Sequence, residues 1–586
     1  MILAKLKEYA DTQMQLPPAM YTATPVRWYI SLSTKGELEQ GGFVPLGGDT
    51  KANKRGESLL VPNLVRTVGI TPKLLADNGE YVLGIADTKK ANDPVKVAER
   101  HRQFKELVRL CASSTHEPTL QAVVTFLENW TPDPNQLPKG FEAGDTLTFR
   151  VFDGQRYVIP AVELESVQRF WAKYTAGEND SEAIKPVMQC LVTGNKTVVE
   201  ARMPGKIKGI PDGQTAGTSL VSANAQAFTS YGLENSLTSP ISRDAAERFT
   251  KALNHLISNK QSRLYVGNTV YVFWTRSTTE FDPVSYLDAP DPGLVKKLYD
   301  SPSSGSPVYQ VKDDDFYALA LSASGGRAVV RSWLHTTIPT AEDNLRYWFN
   351  RQRIVDAYGE VAKPLSVYVL AASCYRDATK ELRSSTSTSL VQAALSRTPL
   401  PNDLLIKVVQ RCKVGTTNLG NDRRDFVTYP QAALIKLILT TQGVAMSESL
   451  DTNLNLNPND QLAYQCGRLL AELEAIQKAA LGRVNATLVD RFYGAASSTP
   501  NSAFAPLLTN ARAHLSKLRK SKSGTWQAKE QVLEDITKFF KQDSGTPKFP
   551  ATLTVKQQGI FALGFYHQRA HNRAEAKAAN ENKGDK

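Results

Sequence analysis

His567 and His571 lie four residues apart in a stretch of helical periodicity, the spacing that puts two imidazoles on one face where a divalent metal could sit. Gln568 stands where a metallohydrolase would carry its catalytic glutamate, and no third ligand is evident. A structural or RNA-contacting role is the simpler reading of the pair. Asp313, Asp314 and Asp315 form a second constellation, since clustered carboxylates suit hard cations. They run directly into a strand pattern and read as a solvated turn. The chain carries no GxxxxGK[ST], GxSxG, GxGxxG or HExxH motif. No catalytic residue, no metal and no cofactor is therefore expected. A metal-dependent nuclease built on one of these clusters is the competing class, and a purely architectural protein the third.

Three sets of residues point instead to polyanion binding. Residues 204–244 are crowded with Gly, Ser, Thr, Asn and Gln and hold almost no acid before Glu234. Glycines let a backbone approach a ligand closely, and amide side chains read base edges or phosphate oxygens. Lys206, Lys208, Gln214, Ser222, Asn224 and Gln226 are its candidate DNA contacts. The segment 47–73 supplies a second basic surface through Lys51, Asn53, Lys54, Arg55 and Arg66. The third set lies in the last quarter of the chain: Arg468, Arg483, Arg491, Lys517, Arg519, Lys520 and Arg569.

Those residues need a scaffold, and the chain is long enough to provide several. At 586 residues with 41% hydrophobic and 22% charged side chains, it exceeds one core, and roughly 3–4 domains are expected. The net charge of +12 favours an anionic partner. Five scattered cysteines without a CxxC read as reduced thiols. No apolar run reaches the length of about 18 residues that a membrane helix needs, so a cytoplasmic protein without a membrane partner is expected.

The expected fold class is α+β: a mixed α/β body over 1–340, a mainly helical connection over 341–445, and a basic all-α bundle of four or five helices over 446–586. Val26–Leu32, Thr146–Phe152, Thr269–Trp274, Phe316–Leu321 and Arg327–Trp333 read as strands, with hairpin turns at Asp153-Gly154 and Gly325-Gly326. The tail holds 19 Lys and Arg against 13 Asp and Glu. Asn457-Pro458 opens its first helix as N-cap and N1. Leu462, Cys466, Leu469, Leu473 and Ile476 form one apolar stripe, with Arg468 falling off it. Thr499-Pro500 opens a second helix, Val532 and Ile536 mark a third, and Thr554-Val555-Lys556-Gln557 is a capping box for the last.

Five blocks of this sequence resemble the large subunit of the type I-C CRISPR surveillance complex (Cascade). They are MILAKLKEYAD…PPAMYTATPVRWYISLSTKGEL, VPNLVRTVGITPKLLADNGEYVLGI, KIKGIPDGQTAGTSLVSANAQAFTSYGLENSLTSPIS followed by AAERFTKALNHLI, YQCGRLLAELEAIQKAALGRVNATLVDRFYGAASSTP, and QQGIFALGFYHQR. The likeness runs from end to end. Ala223 and Leu237-Thr238-Ser239-Pro240 depart from the family pattern, which has an aromatic before its Asn and an Asn-Ala-Pro triplet after S-Y-G. The resemblance implies a prokaryotic, non-catalytic subunit that recognises a protospacer-adjacent motif on double-stranded target DNA and helps open it. Implied partners are the CRISPR RNA, the backbone and 5′-handle-binding subunits, a free small subunit and a helicase-nuclease. The resemblance also implies an internal start, here Met446, that releases the tail as that small subunit.

Overall fold

The computed structural model describes residues 1–18, 20–47, 56–64, 70–87, 93–176, 186–304, 314–417, 424–452, 454–482, 484–540 and 548–584. With about 52% helix and 16% strand in several small sheets, the fold is mixed α+β, as the sequence patterns predict. The chain forms two compact units, one of residues 1–206 and 221–253, the other of 207–220 and 254–586. The division thus cuts through both the amide-rich segment and the helix Arg243–Ser258.

The first unit is built on a five-stranded sheet. Trp28–Leu32 lies at its centre, parallel to Thr146–Phe152 with Ile30 opposite Phe149, and antiparallel to Leu38–Pro45 on its other side. Ala76–Asn78 and Tyr157–Val158 pair with Thr146–Phe152. All five residues of Trp28–Leu32 are buried, which explains why four of them are apolar or aromatic; the fifth, Ser31, accepts from the Arg150 guanidinium. The expected strand at 26–32 is interrupted at Arg27, whose amide bonds Thr146 and whose guanidinium reaches the Leu46 carbonyl. Helices Pro94–Thr115, Pro118–Asn129 and Glu165–Ala176 close the core around Phe104, Val123, Phe149 and Trp171. The Asp153-Gly154 hairpin forms, but as a four-residue turn. Asp153 accepts the Gln155 and Arg156 amides on its carboxylate, which holds the longer loop.

The second unit contains an antiparallel sheet in the order Arg263–Val266, Thr269–Thr275, Asp315–Ser324, Arg327–Thr337. Its last pair turns at Gly325-Gly326, as the sequence predicts. Helices follow from Ile338–Gln352 onward. The tail supplies Pro458–Leu481, Leu488–Ala496, Pro500–Ser521, Ser523–Thr537 and Val555–Gly584. Its caps are those read from sequence: Asn457 accepts the Asp460 amide, and the Thr554 and Gln557 amides each donate to the other's side-chain oxygen. The tail's apolar residues belong to the same core as those of 264–439. Tyr493 stacks on Phe426 at 5.1 Å, and the Tyr566 hydroxyl donates to the Val355 carbonyl. The chain therefore does not divide at residue 445, where the composition changes.

Candidate nucleic-acid interface

The amide-rich segment is held along its length by short backbone-bonded turns and bridges. In the second unit, Ile207 and Thr218 exchange both backbone hydrogen bonds at 2.8 Å. Ser219 then joins the Gly325-Gly326 turn through the Gly326 carbonyl and the Ala328 amide. Lys208 is exposed, and its amide donates to the Asn254 side chain. Gln214 is exposed as well and lies over Gly326, where an added Cβ would come within 3.3 Å of it.

In the first unit, Lys206, Asn224 and Gln226 are exposed and Ser222 is half-buried. The carbonyl of Gln226 accepts from both the amide and the hydroxyl of Thr229, which closes a short 3-10 turn at Gln226–Phe228. Ser230 and Leu233 then pair across a two-residue turn whose members, Tyr231 and Gly232, both have positive φ, 52° and 71°. A bulky L-residue is seldom held in that conformation. Tyr231 is 100% exposed and Phe228 43% exposed. Sequence pattern does not single out either aromatic, because amides and lysines dominate the segment and an aromatic usually signals core. The available signal is the Tyr-Gly pair itself, since Gly suits the second place of such a turn.

The basic residues of the tail divide into exposed and engaged. Arg491, Lys517, Arg519 and Lys520 are exposed, and Arg519 lies over the Trp526 ring at 5.3 Å. Arg491 also lines a cleft of about 220 Å³ with Gln477, Phe492, Asn510 and His514. Arg468 must be corrected. It is 3% exposed, and its guanidinium donates to Gln465 at 2.9 Å and Gln568 at 3.0 Å. Burial lowers its pKa, and it ties two helices together without reaching the surface. Arg569 is similarly committed, at 3.4 Å from Glu474 and 3.6 Å from Asp425, with its plane over Phe565. Lys51, Asn53, Lys54, Arg55, Arg66 and Arg483 lie outside the described residues.

The profile of the CRISPR-associated protein family Cas_Csd1 matches residues 3–572. The chain belongs to the Csd1 family. No curated relative matches it. The resemblance to the type I-C large subunit is borne out, and Csd1 proteins are structural subunits of Cascade, working with other Cas subunits in antiviral defence.

For a Csd1 subunit, the two clusters that could have served a metal are otherwise engaged. His567 is fully buried, its Nδ1 2.9 Å from the Tyr464 hydroxyl, and burial drives its pKa down to about 3. Asp314 accepts the Ser277 and Asp315 amides. Asp315 holds His335 at 2.9 Å and the Tyr317 hydroxyl at 3.0 Å, while Asp313 lies outside the described residues. Among the described residues, no group of three or more His, Cys, Asp or Glu could hold a metal. All five cysteines are unbridged and buried. Among the described residues, no helix is long and apolar enough to cross a membrane.

Proposed function

We propose that this Cascade subunit recognises the protospacer-adjacent motif on duplex DNA, helps to open the duplex, steadies the displaced strand and the R-loop, and offers a docking surface to the helicase-nuclease. It does so without catalysing a reaction. Base pairing with the guide RNA reads the target, so the protein needs to read only a short flanking sequence and the shape of the backbone. One observation carries the proposal: a fully exposed tyrosine at the apex of a tight, left-handed turn, inside an acid-poor segment of amides and lysines. Exposed aromatics on rigid turns stack on unpaired bases, worth about 1–3 kcal/mol per base, or wedge between base steps. Asn224, Gln226 and Gln214 provide groove-reading amides, and Lys206 and Lys208 provide phosphate contacts. In the tail, Arg491, Lys517, Arg519 and Lys520 serve the displaced strand.

The test is the salt dependence of binding to target duplex. Replacing Lys206 and Lys208 with Gln lowers the slope of log affinity against log salt by about 0.9 for each phosphate that the protein no longer neutralises. An unchanged slope removes both lysines from the DNA path.

A further inference from the structure

The described residues of the second unit contain a groove of about 1030 Å³ whose lining includes none of the described candidate contacts above. It is formed where the Gly267-Asn268 turn meets the segment 374–385 and the helix Asn402–Val414. Gly267 abuts Leu382 so closely that an added Cβ would lie 3.0 Å from its side chain, which fixes the floor. Four cations line this groove. Lys380 lies in the short helix Ala378–Glu381, Arg383 directly precedes the helix Ser384–Ser396, and Lys407 and Arg411 stand on successive turns of Asn402–Val414. Glu381 is the one carboxylate lining it, and it accepts the Arg376 amide.

The cations differ in how free they are. Lys380 and Lys407 each touch an aspartate outside the groove, Asp377 at 3.4 Å and Asp403 at 3.1 Å. Among the described residues, neither Arg383 nor Arg411 is paired with a carboxylate. Arg411 instead donates to the Tyr375 and Gly415 carbonyls, so its guanidinium is held in place with its charge unneutralised. Between the cations stand Ser384 and Ser385, hydroxyls opening the helix Ser384–Ser396, which no side chain caps. A fixed guanidinium, ammonium groups and hydroxyls in one open trough match a chain of phosphates better than a compact anion.

We infer that this groove carries the phosphodiester backbone of a single nucleic-acid strand, a path separate from the tail surface. The inference rests on the nucleic-acid reading of the chain given above. An acidic protein segment is the alternative occupant, and the hydroxyl lining and the scale of the trough favour the strand.

The full chain is titrated with a thymidine oligonucleotide across a range of salt. Two variants are compared, Lys380→Gln with Arg383→Gln in the groove and Lys517→Gln with Lys520→Gln on the tail. The groove variant lowers the salt slope by about 1.4, the value for two single-strand phosphates. In parallel, acetylation of Lys380 and Lys407 in the unaltered chain is read by mass spectrometry, so the result does not depend on the variant folding. Oligonucleotide protects both lysines if the groove is the path. A slope lowered only by the tail variant, with Lys380 and Lys407 unprotected, overturns the groove and leaves the nucleic-acid reading intact. Protection by polyglutamate and not by oligonucleotide also overturns it, in favour of an acidic protein partner. No binding by the unaltered chain overturns both.

Discussion

His567 shows what burial does to a residue that its spacing offered as a metal ligand. The Tyr464 hydroxyl, whose own pKa burial raises, stands 2.9 Å from Nδ1. Lys436, also buried, bonds the Arg351 carbonyl and adds a second reason for the imidazole to stay neutral. The pKa of His567 therefore falls from 6.5 to about 3 on folding. As pH drops below 6.5 the unfolded chain takes up a proton that the folded chain refuses. Stability from this residue is thus complete above pH 6.5 and declines as pH falls toward 3. Urea unfolding of His567→Gln should show a flatter acid limb than the unaltered chain. Parallel acid limbs would mean that the folded protein accommodates the charged imidazole.

Among elements, the pair Pro458–Leu481 and Val555–Gly584 governs the tail. An added Cβ at Gly467 would stand 2.0 Å from the Phe561 carbonyl oxygen, and one at Gly564 would stand 2.1 Å from that of Tyr464. The helices touch backbone to backbone, so alanine at either position forces them apart at a cost of about 1–3 kcal/mol. Gly494→Ala, with open space around its Cβ, should be neutral or slightly stabilising. Equal unfolding midpoints for Gly467→Ala and Gly494→Ala would refute the close crossing. Much of this bundle is legible in the sequence: Asn457, Thr554 and Gln557 are local signals, and local chemistry fixes caps. Arg468 is not. Falling off an apolar stripe implies a solvated back face, but Ala463 to Glu474 are all buried, polar and apolar alike, because this helix is surrounded. The helix Leu488–Ala496, opened by a Thr487–Asp490 capping box, is too short for periodicity to show. In the amide-rich segment, composition reveals an unusual loop, while the exposure of Tyr231 depends on a turn conformation that composition does not encode.

For the whole molecule, the shared core bears on how the tail would behave alone. Gly559 on the last helix faces Leu405 and Ile435, within 3.0 and 3.3 Å of where its Cβ would lie. A fragment beginning at Met446 lacks those partners and exposes the face of Gly559 and Tyr493 that Leu405, Ile435 and Phe426 cover in the full chain. It should bind a hydrophobic dye and self-associate, or need another subunit to cover that face. A monodisperse, dye-silent monomer would show that 446–586 completes a core of its own.

The central claim is that this Csd1 subunit reads and opens a flanking duplex. The most direct measurement is selection by the assembled guide-RNA complex from target duplexes with randomised flanking sequence. With the chain present, a short motif should be enriched. Tyr231→Ala should weaken R-loop formation on the enriched duplex by about tenfold, the effect of removing one stacked base. Absence of enrichment, or the same enrichment when the chain is omitted, would contradict the account.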